Sequence, residues 1–168
     1  MEISGYKNVV MPSFSIDKID FIGSYIIGEH SQQSWELTYV STPGGFRTIN
    51  NIKERCEGHE LILIPPGVSH GWEFPEDISL RAVSMYFTSE TLKALKTAVS
   101  EMMSVVTSVL SVRSAIVYNR PDAKKIGKML VEAAIKDEVQ RIPEILRLLI
   151  MISDYYCPLN DRSVSPTS

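Results

Sequence analysis

Apolar and polar positions divide the chain into two parts with different periods. Up to about residue 88, apolar residues form short runs interrupted by Gly, Pro, Asn and His, which is typical of β-strands joined by tight turns. The runs predicted to be strands are Ile19–Ile27, Trp35–Val40, Phe46–Ile49, Ile52–Cys56, Leu61–Ile64 and Leu80–Phe87, with an edge strand before Ile19. Because many short strands follow one another closely, we expect an antiparallel barrel or sandwich rather than βαβ units.

After residue 88 the apolar positions recur at spacings of three and four, as they do in helices. The predicted elements are a helix from Glu90 to about Ala98 capped by Ser89, a helix over Met102–Leu110, a short strand at Ala115–Tyr118, a helix capped by Asp122, and a last helix from Pro143 to about Tyr156. We therefore expect a β-barrel over residues 1–88, a helical region over 89–158, and a polar linker or tail over 159–168.

The last helix is apolar over most of its surface. Its apolar positions at spacings of three and four are Ile142, Ile145, Leu149, Ile152 and Tyr156. An amphipathic surface helix needs an apolar stripe only about 100° wide, so this helix must be covered on several sides. The cover is either the core of the chain itself or a second copy. We favour a homodimer through these residues, because no other long helix is evident to surround the last one.

Charge and cysteine content narrow the class of protein. The chain has 17 basic and 20 acidic side chains in 168 residues, a net charge of −3, which disfavours binding of a nucleic-acid backbone over a large face. Its two cysteines, Cys56 and Cys157, lack CxxC spacing and fit free thiols in a reducing cytoplasm. We expect no signal peptide, because the N-terminus lacks a basic region followed by an apolar block, and no membrane span, because no run approaches eighteen apolar residues. We expect a cytoplasmic protein without membrane contact.

The segment Gly58–Trp72 is the most specific motif in the sequence. It consists of a glycine turn, a buried strand, a stiff Pro-Pro-Gly corner and a histidine, His70, at the start of the next strand. Proline presets φ and glycine supplies the remaining turn conformation, so the corner holds His70 at a defined position. Trp72 and Phe74 follow at alternate positions and therefore share one face of that strand with His70.

A second polar cluster, formed by His30, Gln32 and Glu36, leads into the strand Trp35–Val40. Together with His70, these side chains predict a polar patch in the mouth of a barrel. The two segments resemble the paired motifs of the cupin superfamily. Gly58, Pro65, Gly67 and His70 fit the second motif, and His30 and Glu36 fit the first, in which Gln32 replaces a histidine.

The order of elements after the barrel extends the resemblance. The phrase from Met85 to Leu92, the helices, the strand at Ala115–Tyr118 and the closing helical pair look like the N-terminal half of AraC-type transcription regulators, over about Ser24–Pro158. The resemblance implies a non-enzymatic domain without a cofactor, whose cupin-like barrel (jelly roll) binds a small-molecule effector such as a sugar and whose helices dimerise. It also implies that DNA is bound only through a separate C-terminal half, absent from this chain.

Several alternatives remain open for the polar patch. As an effector site, it is predicted to comprise His30, Gln32, Glu36, Arg47, His70, Trp72 and Tyr86. Small-molecule sites are mostly apolar with a few convergent polar groups, and the aromatic residues could equally fill the barrel. Arg47 could also face water. A metal-dependent cupin enzyme, an isomerase or dioxygenase, is the alternative function, with His30, Glu36 and His70 as ligands.

Overall fold

The computed structural model describes residues 12–118 and 120–154, which form nine strands and four helices. The strands are β1 (Phe14–Ile22), β2 (Tyr25–His30), β3 (Trp35–Val40), β4 (Phe46–Ile49), β5 (Ile52–Arg55), β6 (Glu60–Ile64), β7 (His70–Phe74), β8 (Ser79–Phe87) and β9 (Ile116–Val117). The helices are α1 (Ser89–Ala98), α2 (Met103–Ser111), α3 (Arg120–Ala134) and α4 (Ile142–Asp154), and a 3₁₀ turn, Ser100–Met102, precedes α2.

The nine strands form two antiparallel sheets. One has the strand order β1-β8-β3-β6-β9 and the other the order β2-β7-β4-β5. Consecutive strands repeatedly cross from one sheet to the other, and the two sheets enclose a shared apolar interior that includes Ile62, Phe74 and Leu80. This is a cupin-like jelly roll followed by helices, so the predicted fold class is confirmed.

One predicted strand is in fact two strands. The run Ile19–Ile27 is broken at Gly23, whose φ of 129° lies in a region that residues with a side chain rarely adopt. Before the break β1 pairs with β8, and after it β2 pairs with β7 in the other sheet. The prediction joined the two strands because apolar residues lie on both sides of Gly23 and both strands place apolar side chains in the interior.

The helix caps also differ from the prediction. Thr88, not Ser89, caps α1, since the Thr88 hydroxyl accepts a hydrogen bond from the Thr91 backbone N–H at 3.1 Å. Ser89 begins the helix, and its hydroxyl accepts a hydrogen bond from the Trp35 indole N–H at 3.0 Å. Asp122 lies in the first turn of α3 rather than before it.

The five-stranded sheet is covered on both faces, and β3 shows why. All six of its residues are buried. Leu37 and Tyr39 face the helices and belong to the core that the helices share with this sheet. Glu36 and Thr38, at the alternate positions, face the second sheet. One face of the central strands therefore contacts the helices, and the other face contacts the interior between the two sheets.

Helix α3 lies against the outer face of this sheet at a very close approach. A Cβ atom added to Gly127 would lie 2.3 Å from the Tyr39 ring, so only glycine fits there without displacement. Ile126 and Leu130 on the same helix are fully buried. Helix α4 in turn packs against α2 and α3.

Most of the apolar surface of α4 is buried by other parts of the same chain, which corrects the prediction that a second copy covers it. Ile145, Leu149 and Ile152 are at most 1% exposed within a single chain and join the core formed with α2, α3 and the sheet. They therefore offer no surface to a second copy. Ile142, which is 42% exposed, remains accessible, and Tyr156 lies outside the described residues. No helix in the described part of the chain combines the length and apolarity needed to cross a membrane.

Candidate functional site

A cavity of about 70 Å³ lies between the two sheets at the β1–β2 end of the barrel. Of the residues predicted from the sequence, His30, Glu36, Trp72 and Tyr86 line it. The other polar residues in its wall are Tyr25, Thr38 and Ser84, and the apolar ones include Ile19, Ile27, Phe74 and Leu80. The cavity therefore combines an apolar body with a few polar groups on one side, as small-molecule sites do.

Glu36 is the centre of the polar side. Its side chain is 6% exposed, and one carboxylate oxygen accepts hydrogen bonds from Gln32 Nε2 at 3.1 Å and His70 Nε2 at 3.2 Å. The other oxygen accepts from the hydroxyls of Thr38 and of Ser84, the latter at 3.3 Å. A carboxylate offers about four acceptor positions, so all of those on Glu36 are used within the chain.

His70 holds Glu36 in place from behind the cavity wall. Its side chain is 1% exposed, and its two ring nitrogens face the Glu36 carboxylate and the Val68 carbonyl, the latter at 2.9 Å. Both of these groups are acceptors only, so the doubly protonated imidazolium satisfies both contacts. The Pro-Pro-Gly corner thus holds His70 beneath the buried carboxylate. The sequence predicted a defined position for His70 in the ligand site, but His70 itself does not line the cavity.

Burial and hydrogen bonding change the pKa values of Glu36 and His70 in opposite directions. Burial by itself raises the pKa of Glu36, but hydrogen bonds from His70, Thr38 and Ser84 and the His70 charge outweigh it and lower the pKa below 4.5. Burial lowers the pKa of His70, but hydrogen bonds to Glu36 and the Val68 carbonyl and the Glu36 charge raise it above 6.5. The pair is therefore ionised on both sides in mildly acidic solution.

We expect the free energy of unfolding to be largest between about pH 4.5 and 6.5. The contribution of Glu36 is complete above its ordinary pKa of 4.5 and is lost as the pH falls through its lower value in the folded chain. The contribution of His70 is complete below its ordinary pKa of 6.5 and is lost as the pH rises through its higher folded value. Urea unfolding across this range should show a flatter profile for Glu36→Gln, and coincident profiles would contradict the assignment.

His30 and Gln32 have different positions relative to the cavity. His30 lines it at the exposed end of β2, with its ring centroid 4.5 Å from that of His70 and its Nδ1 at 3.0 Å from the Gly28 carbonyl. Gln32 lies outside the lining and acts by donating to Glu36. The upstream cluster is therefore brought to His70, but only part of it reaches the cavity.

Arg47 was predicted to belong to the ligand site but lies away from both the cavity and Glu36. It is 7% exposed, and its guanidinium contacts Glu60 at 2.5 Å and Glu54 at 2.7 Å. These groups adjoin a groove of about 450 Å³ between the opposite edges of the two sheets, where β5 and β9 lie. Arg47 thus faces neither the cavity nor bulk water, because two carboxylates hold it inside the barrel.

Nearby Cys56 has no exposed surface, and burial, with the charge of Glu60, raises its pKa to about 12. Such a thiol stays protonated at neutral pH, so Cys56 is a packing residue.

Sequence reasoning missed Tyr25, Thr38 and Ser84 as wall residues. Thr38 alternates with apolar residues on β3 in the same phase as Glu36, which is a signal that could have identified it. Ser84 pairs with Thr38 across the β3–β8 ladder, and the two hydroxyl oxygens are 2.7 Å apart. That pairing joins residues far apart in sequence and depends on register, which the pattern of one strand does not reveal.

The possible metal ligands His30, Glu36 and His70 lie close together, but their side chains form hydrogen bonds within the chain. Both nitrogens of His70 are engaged by Glu36 and Val68. In the parts of the chain that the structure describes, no group of three or more histidine, cysteine or carboxylate side chains is placed to hold a metal ion.

Comparison with known proteins identifies the fold. No protein-family model matches the sequence, and no curated protein matches it. Apo ToxT from Vibrio cholerae superposes with a TM-score of 0.56 at 12% identity, over 86% of this chain and 55% of ToxT. The AraC-like transcriptional activator CuxR superposes with a TM-score of 0.55 at 13% identity, over 85% of this chain and 51% of CuxR. A cupin 2 conserved barrel domain protein from Salinispora arenicola aligns over 56% of this chain at 15% identity, with a TM-score of 0.44.

The matches to ToxT and CuxR show a shared fold at low sequence identity. The superposition on ToxT and CuxR includes more than four fifths of this chain, so it extends beyond the barrel into the helices. The chain spans about half the length of each of those proteins. The resemblance to AraC-type regulators that the sequence indicated is thus confirmed at the level of the fold.

Proposed function

We propose that this chain is the effector-sensing and dimerisation part of an AraC-like transcription regulator, with the effector bound in the cavity beside Glu36. The fold shared with CuxR, an AraC-like transcriptional activator, supports this proposal, as does the cavity between the sheets with its polar groups on one side. DNA would be bound by a separate part of the protein in the cytoplasm. Sugars and related metabolites are the first effectors to test.

One observation carries the proposal: the strands that line the cavity also form the surface on which the helices pack. On β3, Glu36 and Thr38 face the cavity, whereas Leu37 and Tyr39 face the helical core. On β8, Ser84 lines the cavity between Val83 and Met85, which both pack on the helical side. A displacement of either strand by a ligand therefore reaches the helices through adjacent residues.

The mechanism we propose is a shift between two arrangements of the helices. A ligand changes this equilibrium only if it binds the two arrangements with different affinities. The Tyr39 ring on β3 packs directly against the α3 backbone at Gly127. A displacement of β3 would therefore displace α3, because no space separates the ring from the helix. The occupied cavity would thus favour one position of α3 and of α4, which packs against it.

For dimerisation, the accessible side of α4 is the best-supported surface. Ile142 is 42% and Ile150 39% exposed, with half-buried Leu146 between them at a spacing of four residues on each side. These positions form one apolar stripe along α4, in which Leu146 also packs against the chain's own core and the other two are more exposed. A second copy would cover this stripe, while Ile145 and Leu149 keep their packing inside each chain.

The effector proposal predicts stabilisation by the right ligand. A ligand that binds only the folded chain raises its free energy of unfolding by about 2.7 kcal/mol at one hundred times its Kd. Thermal unfolding with a panel of sugars and other small polar metabolites measures this effect. Ala82→Leu places a larger side chain in the cavity wall and should abolish the response, whereas Ala94→Leu on the exposed side of α1 should retain it.

Two results would overturn the proposal. The first is the absence of stabilisation across a chemically broad panel, which would indicate a barrel retained only for packing. The second is stoichiometric metal in the purified protein that is lost in His70→Ala, which would replace the sensor by the metal-dependent enzyme considered from the sequence.

A further inference from the structure

We propose that the free edge of β1 is a second surface for self-association, at which the β1 strands of two chains pair antiparallel about a two-fold axis at Ile19. This contact is independent of the effector and of the apolar stripe on α4. Three features of β1 support it: an edge without a partner strand, a charge pattern that is self-complementary in one register, and apolar residues that meet in that register.

The free edge is the first feature. β1 spans nine residues, Phe14–Ile22, and all nine pair with β8 on one side. It is the outermost strand of its sheet, so no described strand lies along its other side, and the turns of the described chain form no backbone hydrogen bonds with it. An unpaired edge presents a row of N–H and C=O groups with which another strand can pair. A strand of this length therefore offers a template for a second chain.

The charge pattern selects one register. In an antiparallel pair of identical strands, the residue at the two-fold axis faces its own copy, and residues equally far before and after it face each other. An axis at Asp17, Lys18 or Asp20 would place two like charges opposite each other, which is destabilising. An axis at Ile19 instead places Lys18 opposite Asp20 of the second copy, and the two-fold symmetry forms this pair twice.

Lys18 and Asp20 are available for this contact. Both residues are exposed and lie in the wall of a groove of about 260 Å³ on the helical side of the sheet. Asp20 is opposite Arg81 on β8, but neither Lys18 nor Asp20 forms an ion pair with a described residue. Edge strands commonly carry charges that prevent pairing. The charges of β1 disfavour pairing about the neighbouring axes but favour it about Ile19.

The apolar residues of β1 meet in the same register. Ile19 faces its own copy, and at each end of the contact Ile16 faces Ile22 of the second copy. Ile22 is 81% exposed within a single chain. Pairing therefore removes exposed apolar surface from water in addition to satisfying the backbone groups of the edge.

The β1 contact would join the sheets of two chains into one continuous sheet. β1 forms the edge of its sheet, whereas α4 packs against α2 and α3. Chains that use both self-complementary surfaces build assemblies larger than a dimer. The β1 contact is therefore best measured in the Ile150→Asp variant, in which the α4 contact is expected to be weak.

Two charge variants of that chain test the pairing. Lys18→Glu makes both members of the charge pair acidic, and Asp20→Lys makes both basic, so each variant opposes like charges to its own copy. We expect sedimentation to show association of the Ile150→Asp chain and a dissociation constant at least about tenfold higher for either charge variant alone. An equimolar mixture of the two variants should recover association, because every acidic side chain then faces a basic one in the other chain.

Matched controls separate this contact from a general effect of net charge. Lys93→Glu on α1 and Glu101→Lys in the following 3₁₀ turn change the net charge by the same amounts at exposed positions outside β1. Each should self-associate as the parent Ile150→Asp chain does. Urea unfolding should show all of these variants folded, since exposed substitutions change the free energy of unfolding little.

A disulfide tests the register directly. With the axis at Ile19, the cysteine of Ile19→Cys faces its own copy at a Cα–Cα distance of about 4.5–5.5 Å, which a disulfide can bridge. The cysteine of Lys18→Cys lies diagonally from its own copy, at about 7–8 Å, which a disulfide cannot bridge. In a Cys157→Ser background, oxidation should therefore crosslink the first variant and not the second.

Several results would overturn the proposal. An Ile150→Asp chain that remains monomeric at high concentration would indicate that another part of the protein covers the edge of β1. Association that Lys18→Glu leaves unchanged would assign self-association to a different surface. A mixture that associates no more strongly than either charge variant alone would exclude the pairing of Lys18 with Asp20, and a crosslink in Lys18→Cys but not in Ile19→Cys would exclude the axis at Ile19.

Discussion

Leu149→Asp is expected to unfold the chain, whereas Ile150→Asp, one residue further along α4, is expected to leave the fold intact. Leu149 has no exposed surface and lies in the core between α4, α2 and α3. Truncating a buried leucine costs about 2–5 kcal/mol, and a buried carboxylate without a partner adds to that cost. The total approaches the whole stability of an ordinary domain. Ile150 is 39% exposed, so an aspartate there remains hydrated.

The same pair of variants separates folding from association. Circular dichroism and urea unfolding should show loss of structure in Leu149→Asp and a nearly unchanged free energy of unfolding in Ile150→Asp at low protein concentration. Sedimentation should show a dimer for the unmodified chain and a weaker dimer for Ile150→Asp. A monomer at high concentration for the unmodified chain would contradict the dimer proposal, and a stable Leu149→Asp would contradict the packing of α4.

Glu36→Ala should cost about 3–5 kcal/mol in the free energy of unfolding, the range expected when one partner of a buried ion pair is removed. The variant leaves the His70 imidazole facing an empty space in an apolar interior. It also removes the acceptor of Gln32, Thr38 and Ser84. Thr38 and Ser84 can still bond to each other, which recovers part of the loss.

Glu73→Ala provides the matched control in the same barrel. Glu73 on β7 forms an ion pair with Lys53 at 2.6 Å, but both side chains are 51% exposed. Exposed pairs of this kind contribute about 0–1 kcal/mol. Urea unfolding at constant pH should therefore give a much lower free energy of unfolding for Glu36→Ala than for Glu73→Ala. A similar small loss for both variants would show that Glu36 is not the organising group of the site.

Local sequence determined most of the strands and the position of the polar motif. The strand Trp35–Val40 was predicted with the bounds that the structure has, because its apolar run is closed on both sides by turn-forming residues. The Pro-Pro-Gly corner placed His70 at the first position of β7 as expected. These features depend on residues within a few positions of one another, which is the range over which backbone preferences and turn chemistry act.

Other parts of the site depended on contacts between distant segments. The sequence pattern assigned Arg47 to the ligand site, but Glu54 and Glu60 hold it at the other edge of the sheets. The same pattern could not pair Ser84 with Thr38, because register between β3 and β8 is a property of the whole sheet. Sequence spacing places a charged side chain on a face but does not identify its partner.

The last helix shows the division most clearly. From the sequence alone, α4 had to be covered on several sides, and that conclusion holds. Only the tertiary structure decided that α2, α3 and the sheet bury Ile145 and Leu149, leaving Ile142 and Ile150 at the surface. The physical reason is that the hydrophobic effect is non-directional: the pattern of apolar residues specifies how much surface must leave water, while the arrangement of distant segments determines what covers it.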